Sequence, residues 1–126
     1  MIKMFKVNEQ LTISVTRGDI GTLAVTADKD GELYTFQTND LVRFQVFEKK
    51  DCTNVLLSKE IRVAEATQQV EVLLTGKDTR LGKPISKPED YWYEVELNPL
   101  TAPQTIIGYD ENGPKIFRLF PEGGEM

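Results

Sequence analysis

The sequence contains no histidine and only one cysteine, Cys52. Histidine is the commonest general base and the commonest transition-metal ligand, and its absence excludes every Ser–His and Cys–His nucleophile arrangement. A single cysteine cannot form an internal disulfide, so nothing in the sequence indicates an oxidising compartment. We predict that the chain is not an enzyme, uses no cofactor and holds no tightly bound metal.

Long apolar runs and concentrated positive charge are also missing. No apolar run approaches the length of a membrane span or of the apolar region of a signal peptide. The 15 Lys and Arg residues are dispersed along the chain and outnumbered by 20 Asp and Glu residues, which gives a net charge of −5 at pH 7. This balance disfavours binding to nucleic acid or to an anionic membrane surface. The sequence therefore predicts folding in a cytoplasm, with no nucleic-acid or membrane partner.

What the sequence does contain is alternation with a period of two. Between Tyr91 and Leu97, apolar odd positions alternate with Trp92, Glu94 and Glu96. Aromatic and β-branched residues on one side of such an alternation are typical of a half-buried strand. Proline occurs on both sides of the stretch, and because proline cannot donate to a sheet ladder, it limits the length of the strand. We predict that the rest of the chain is organised around this strand.

The same alternation recurs along the chain and predicts about eight or nine short strands separated by turns. The 126 residues, of which 40% are hydrophobic, suffice for one domain with a core. We therefore predict an all-β fold, a single-domain antiparallel β-sandwich (immunoglobulin-like or jelly-roll-like) with one short helical turn. The domain is expected to span residues 1–120, and residues 121–126 to form a flexible C-terminal tail. The predicted core contains Ile13, Val15, Val25, Val42, Phe44, Val46, Val72, Tyr93, Val95 and Phe117.

Local patterns predict the connections between strands. Thr75 and Asp78 have the spacing of a helix start, with room for only one or two turns before the next glycine and proline. Asn112-Gly113, between apolar residues at 105–107 and 115–120, predicts a hairpin. Polar residues separate 55–58 from 61–64, so we expect two strands there.

Short motifs that match functional patterns fit structural roles better. Asp28-x-Asp30-Gly31 resembles part of a calcium loop but lacks the further ligands, so a turn is favoured. Arg17-Gly18-Asp19 matches the tripeptide that integrins bind, and we predict a turn there as well. Lys49 or Lys50 could lower the pKa of the nearby thiol of Cys52, but no base accompanies this lone thiol, which we interpret as incidental.

Several stretches, distributed along nearly the whole chain, resemble the corresponding stretches of a known family. They are Arg17-Gly18-Asp19, Val42-Arg43-Phe44-Gln45-Val46, Leu74-Thr75-Gly76-Lys77-Asp78-Thr79, Tyr91-Trp92-Tyr93-Glu94-Val95-Glu96-Leu97 and Lys115-Ile116-Phe117-Arg118-Leu119-Phe120 followed by Pro121-Glu122. In the order and spacing of these stretches, the sequence resembles the N-terminal domain of phage baseplate upper proteins. This β-sandwich module is found in phages and prophages of Gram-positive bacteria.

The resemblance implies a virion structural protein, expected in the tail or baseplate, that acts through protein–protein contacts. Its implied partners are other phage tail or baseplate proteins and copies of itself, so it is a possible homo-oligomer. It would be made in the bacterial cytoplasm and found in the virion once assembled. No catalytic residue belongs to the family pattern. Family members usually continue into further domains whereas this sequence stops at Met126, so a small neck, connector or tail component is an alternative to a fibre holder.

Trp92, Glu94 and Glu96 are the candidate interface. By parity Trp92 lies opposite the apolar face, where either residues 83–88 cover the indole or the indole anchors a partner. Glu94 and Glu96 are about 7 Å apart on one strand face, a separation comparable to that of glycosidase carboxylates, but such acids usually form a solvated face. A carbohydrate-binding β-sandwich is the alternative function, although the aromatic residues fall on the faces assigned to the core.

Overall fold

The computed structural model describes residues 3–110 and 113–122, and in these residues the chain forms twelve strands and one short helix. The strands are β1 (Lys3–Met4), β2 (Lys6–Val7), β3 (Ile13–Thr16), β4 (Gly21–Val25), β5 (Asp28–Lys29), β6 (Glu32–Leu33), β7 (Leu41–Phe47), β8 (Val55–Arg62), β9 (Val70–Leu74), β10 (Glu89–Leu97), β11 (Gln104–Ile107) and β12 (Lys115–Phe120). The helix α1 spans Gly76–Thr79. The predicted all-β class is confirmed.

Most of the strands belong to two sheets. The smaller sheet has the order β1-β4-β9, and the larger has the order β2-β3-β12-β10-β7-β8, with β11 also paired to β10. A separate hairpin joins β5 to β6, and its turn residues Asp30 and Gly31 have φ values of 54° and 82°. These left-handed conformations favour the Asp-Gly pair found there, so the predicted turn is confirmed.

Strand β10 lies at the centre of the larger sheet. On one side β7 pairs with residues 92–97 of β10. On the other side β12 pairs with residues 89–93, and β11 pairs with residues 95–97. The strand around Tyr91–Leu97 therefore has the central position that its alternation predicted.

Both sheets contribute side chains to one apolar core. Leu23 and Val72 come from the smaller sheet, whereas Phe44, Tyr93 and Phe117 come from the larger one. Every residue predicted from the alternation to lie in the core is buried. The inner faces pack together because burying apolar surface is the dominant favourable contribution to folding. The β-sandwich arrangement, its immunoglobulin-like or jelly-roll-like subtype, and the bounds of the domain stay predictions.

The sheets are mixed, which corrects the antiparallel arrangement that the sequence predicted. Strand β1 pairs parallel with β4, and β12 pairs parallel with β3. Parallel partners need a long crossover connection, and they are therefore distant in sequence. Alternation within a strand indicates which face is buried but carries no information about such a distant partner.

Two predicted connections are also corrected. The strands expected at 55–58 and 61–64 form one strand, β8, because Lys59 and Glu60 continue the pairing with β7. Gly113 and Asp110 do reverse the chain, with the Gly113 N–H donating to the Asp110 carbonyl at 2.8 Å. However, β11 and β12 do not pair with each other, since β10 is long enough to pair with both in line. Residues 111–112 of the predicted hairpin and 123–126 of the predicted tail lie outside the described residues.

Helix α1 begins with the predicted capping box. The Thr75 hydroxyl accepts from the Asp78 N–H at 3.3 Å, and the Asp78 carboxylate accepts from the Thr75 N–H at 2.9 Å. The same carboxylate forms an ion pair with Lys59 at 2.8 Å. Burial by itself would raise the pKa of Asp78, but the hydrogen bonds from Lys59 and Thr75 together hold this pKa below its ordinary value. The short helix is thereby tied to β8.

The Arg17-Gly18-Asp19 tripeptide is packed into the fold. Arg17 is only 6% exposed. The Gly18 N–H donates to the Thr79 hydroxyl at 2.9 Å, and that hydroxyl donates to the Asp19 carbonyl at 2.9 Å. The Asp19 N–H donates to the Thr16 carbonyl at 3.0 Å, which confirms the predicted turn, and α1 packs against this turn.

Candidate functional site

Strand β10 directs the candidate interface residues to the outer face of the larger sheet. Trp92, Glu94 and Glu96 alternate with Tyr93 and Val95, which are 2% and 1% exposed on the inner face. Because successive side chains of a strand point to opposite sides, the three candidate residues share the outer face. The structure therefore places them in one row, as the sequence predicted.

Trp92 lies between two apolar residues of the neighbouring strands. Its register partners are Phe47 of β7 and Ile116 of β12. Phe47 is 5% exposed, and Trp92 and Ile116 are half-buried. The short loop before β10 sends its one half-buried apolar side chain, Ile85, against the inner core instead. We call this row of two aromatic residues and one isoleucine, Phe47, Trp92 and Ile116, the aromatic row.

Glu96 is paired within the chain. Its carboxylate forms an ion pair with the Arg43 guanidinium at 3.0 Å, and the two residues are also register partners across β10 and β7. The side chains are 23% and 24% exposed. The Arg43 Nε is buried without a hydrogen-bond acceptor in the described residues. This part of the face is therefore a mixed-charge surface, which differs from the acidic row that the sequence suggested.

Glu94 lies beside the lone cysteine. The two residues are distant in sequence, but the fold brings the Glu94 carboxylate close to the Cys52 thiol. Burial raises the pKa of Cys52 to about 11, and the nearby carboxylates of Glu94 and Asp51 add to that rise. This direction is opposite to the lowering that a neighbouring lysine would give, and it favours the protonated thiol, which is the less nucleophilic form.

A second candidate feature is a cleft on the inner side of the fold. It has a volume of about 350 Å³ and lies between β4 and β11, with Val25, Phe44, Tyr93 and Ile106 among its lining residues. The Tyr93 hydroxyl is already engaged, since it donates to the Leu11 carbonyl. Ligand pockets need polar groups that orient the ligand. The cleft contains none of the candidate interface residues.

Metal-binding groups and membrane-spanning helices can be judged for the described ranges, residues 3–110 and 113–122. No three histidine, cysteine or acidic side chains come together there as a metal-binding group. No helix in the same ranges is long and apolar enough to cross a membrane. The expectations that the chain holds no metal and has no membrane partner stay predictions.

The outer face was predicted from the sequence, whereas the neighbours that shape it were not. Phe47 has the parity of the outer face, a signal that was present in β7 and not used. The Arg43–Glu96 and Cys52–Glu94 contacts required the register of distant strands and loops. Comparisons of the chain with protein-family models, with curated protein sequences and with solved structures find no match.

Proposed function

We propose that the chain is a structural protein of a phage or prophage virion, a tail or baseplate component that acts through protein–protein contacts. The observation that carries the proposal is the aromatic row on the outer face of the larger sheet. A half-buried tryptophan flanked by Phe47 and Ile116 is a suitable interface anchor, because aromatic residues in desolvated pockets contribute much of the energy of protein–protein binding.

The charged groups beside the aromatic row support the same function. Arg43 and Glu96 lie on the same face as Trp92 and are partly exposed. Protein interfaces combine an apolar centre with a polar rim whose charges steer the encounter and fix its orientation. The resemblance to phage baseplate upper proteins adds the setting, a particle in which copies and neighbouring tail proteins assemble.

The carbohydrate-binding alternative has less support. Sugar-binding sandwiches stack exposed aromatic rings on the ligand, whereas Phe44, Tyr93 and Phe117 are at most 2% exposed in the core. A glycan array probed with the wild-type protein tests this alternative. Binding that is abolished by Trp92→Ala would favour the sugar-binding function, and no binding is expected from a virion structural protein.

The contact surface is tested with Trp92→Ala, measured by static light scattering and circular dichroism together. We expect the variant to keep the β spectrum and to lose mass relative to the wild type, because the indole is partly exposed and its removal leaves the inner core intact. Leu100→Ala, a change at a 75% exposed apolar residue away from the aromatic row, is the control and should leave the mass unchanged.

Two results would count against this surface. An unchanged mass for Trp92→Ala would remove the indole from the contact between copies. Loss of the β spectrum would show that Trp92 contributes to folding through Phe47 and Ile116 and has no separate role as an anchor.

A further inference from the structure

Strand β8 is a long edge strand of the larger sheet. It spans Val55–Arg62, and in the part of the chain that the structure describes it pairs with β7 alone. Its even-numbered residues Ser58, Glu60 and Arg62 are exposed. An open edge presents unpaired backbone N–H and C=O groups and is a template for pairing with another strand.

The hydrogen bonds at the end of β8 show which backbone groups face outward. The Val63 N–H donates to the Asp40 carbonyl, and the Val63 carbonyl accepts from the Asn39 N–H, so residue 63 faces β7. Backbone groups of successive residues in an antiparallel strand point alternately to the two sides. Ile61 therefore also faces β7, and the backbone groups of Glu60 and Arg62 face away from the sheet.

The side chains beside these groups are self-complementary in one register. If two β8 strands pair antiparallel with Ile61 opposite its own copy, Glu60 of each strand lies opposite Arg62 of the other. Shifting one strand by two residues along the other, which is one repeat of the hydrogen-bond ladder, places Glu60 opposite Glu60 or Arg62 opposite Arg62. Opposite charges across a pair stabilise a sheet and like charges destabilise it, so the charges favour the register centred on Ile61 over the two registers next to it.

We propose that the chain forms a two-fold symmetric dimer in which two copies of β8 pair antiparallel, centred on Ile61. Each Glu60–Arg62 pair then exchanges both of its backbone hydrogen bonds across the axis. Such an isologous contact closes on itself and leaves no open end for further growth at this edge. The inference deepens the proposed function, on which it rests for its biological setting, because it names a second copy of the chain as one partner.

The dimer would place the two aromatic rows on the same side of one continuous sheet. Glu60 pairs with Arg43, and Arg43 pairs with Glu96 of β10, so all three belong to the outer face. Pairing Glu60 with Arg62 keeps this parity across the axis. At a strand spacing of about 4.8 Å, the two Trp92 side chains are about 24 Å apart across the strands. The dimer would therefore offer two equivalent contact surfaces to a larger assembly.

The proposal is tested by sedimentation equilibrium from about 1 μM to about 1 mM protein, since a contact below roughly 1,000 Å² is expected to dissociate on dilution. Glu60→Arg and Arg62→Glu each place like charges opposite each other, and we expect either change to raise the dimer Kd about tenfold or more. The double variant restores opposite charges and should return the Kd to within about threefold of the wild type. Glu71→Arg, which makes the same charge change at an exposed residue of β9, should leave the Kd unchanged.

Hydrogen exchange gives an independent readout of the same contact. The Glu60 and Arg62 amides should become protected only at concentrations at which the dimer forms, whereas the Ile61 amide, which faces β7, should be protected at all concentrations. Circular dichroism verifies that each variant folds.

A wild type that stays monomeric at all concentrations would overturn the dimer, as would single variants that dimerise like the wild type or a double variant that fails to recover. None of these results bears on whether the chain occurs in virions, which is measured separately on particles.

Discussion

Replacing Phe44 with alanine tests whether the core is organised as the structure shows. Phe44 is fully buried on the inner face of β7. Its ring centroid is 5.7 Å from that of Tyr93 and 6.2 Å from that of Phe117. It is also the register partner of Val95 in the central strand. Truncation therefore removes the ring that joins β7, β10 and β12.

The expected loss of stability follows from the size of the cavity. Phe-to-Ala changes in cores destabilise by about 3–5 kcal/mol, through lost transfer free energy and unfilled volume. Two aromatic neighbours add about 0.5–1.5 kcal/mol each beyond area burial, which places Phe44→Ala near the upper end, at about 4–5 kcal/mol. Domains are stable by about 5–15 kcal/mol, so the variant is expected to fold marginally.

Urea denaturation followed by circular dichroism measures this effect. With a slope of about 1–3 kcal/mol per molar urea, a loss of about 4 kcal/mol lowers the midpoint by about 1.3–4 M. Tyr109→Ala is the matched control, because Tyr109 is an aromatic residue that is 68% exposed, and its truncation should move the midpoint little. Equal midpoints for Phe44→Ala and the wild type would show that the inner face has been assigned incorrectly.

Three further predictions concern α1 and the thiol. Gly76→Ala should destabilise the fold by about 1 kcal/mol or more in urea denaturation, although alanine normally favours a helix. The reason is that an added Cβ would lie 2.8 Å from the Gly18 carbonyl oxygen. Increased stability of the variant would contradict this packing. Asp78→Asn should lose about 1 kcal/mol at neutral pH. Folding lowers the pKa of Asp78, so the stabilisation that its carboxylate provides is present above the ordinary pKa of about 3.9 and is lost as pH falls through the folded value. A pH series of denaturation curves should therefore show a smaller loss of stability in acid for the variant than for the wild type. Cys52 should react with a disulfide reagent at pH 8 about 100-fold more slowly than a free thiol, and Glu94→Gln should accelerate the reaction; ordinary reactivity would contradict the raised pKa.

The sequence was most informative where a property is local. Alternation with a period of two identified β10 and the buried faces of the principal strands, because each strand must present apolar side chains to one core. The capping box at Thr75 and Asp78 was equally local, since it needs only a threonine and an acid at the right spacing. These features were predicted correctly.

Contacts between distant segments were beyond the reach of sequence patterns. The parallel pairing of β12 with β3 depends on a crossover that leaves no mark in either strand. Lys49 and Lys50, the neighbours of Cys52 in sequence, could have lowered its pKa, but burial and the carboxylate of Glu94, a residue distant in sequence, raise it. The free edge of β8 became apparent only when 55–58 and 61–64 proved to be one strand.

We propose above all that the chain is a structural part of a virion. Its most direct test is quantitative mass spectrometry of intact, gradient-purified particles released after induction of a bacterium that carries the gene. We predict that the chain sediments with the particles in a fixed ratio to the known tail proteins and stays with them after a high-salt wash. Particles that lack the chain, although it is abundant in the same lysate, would contradict the claim.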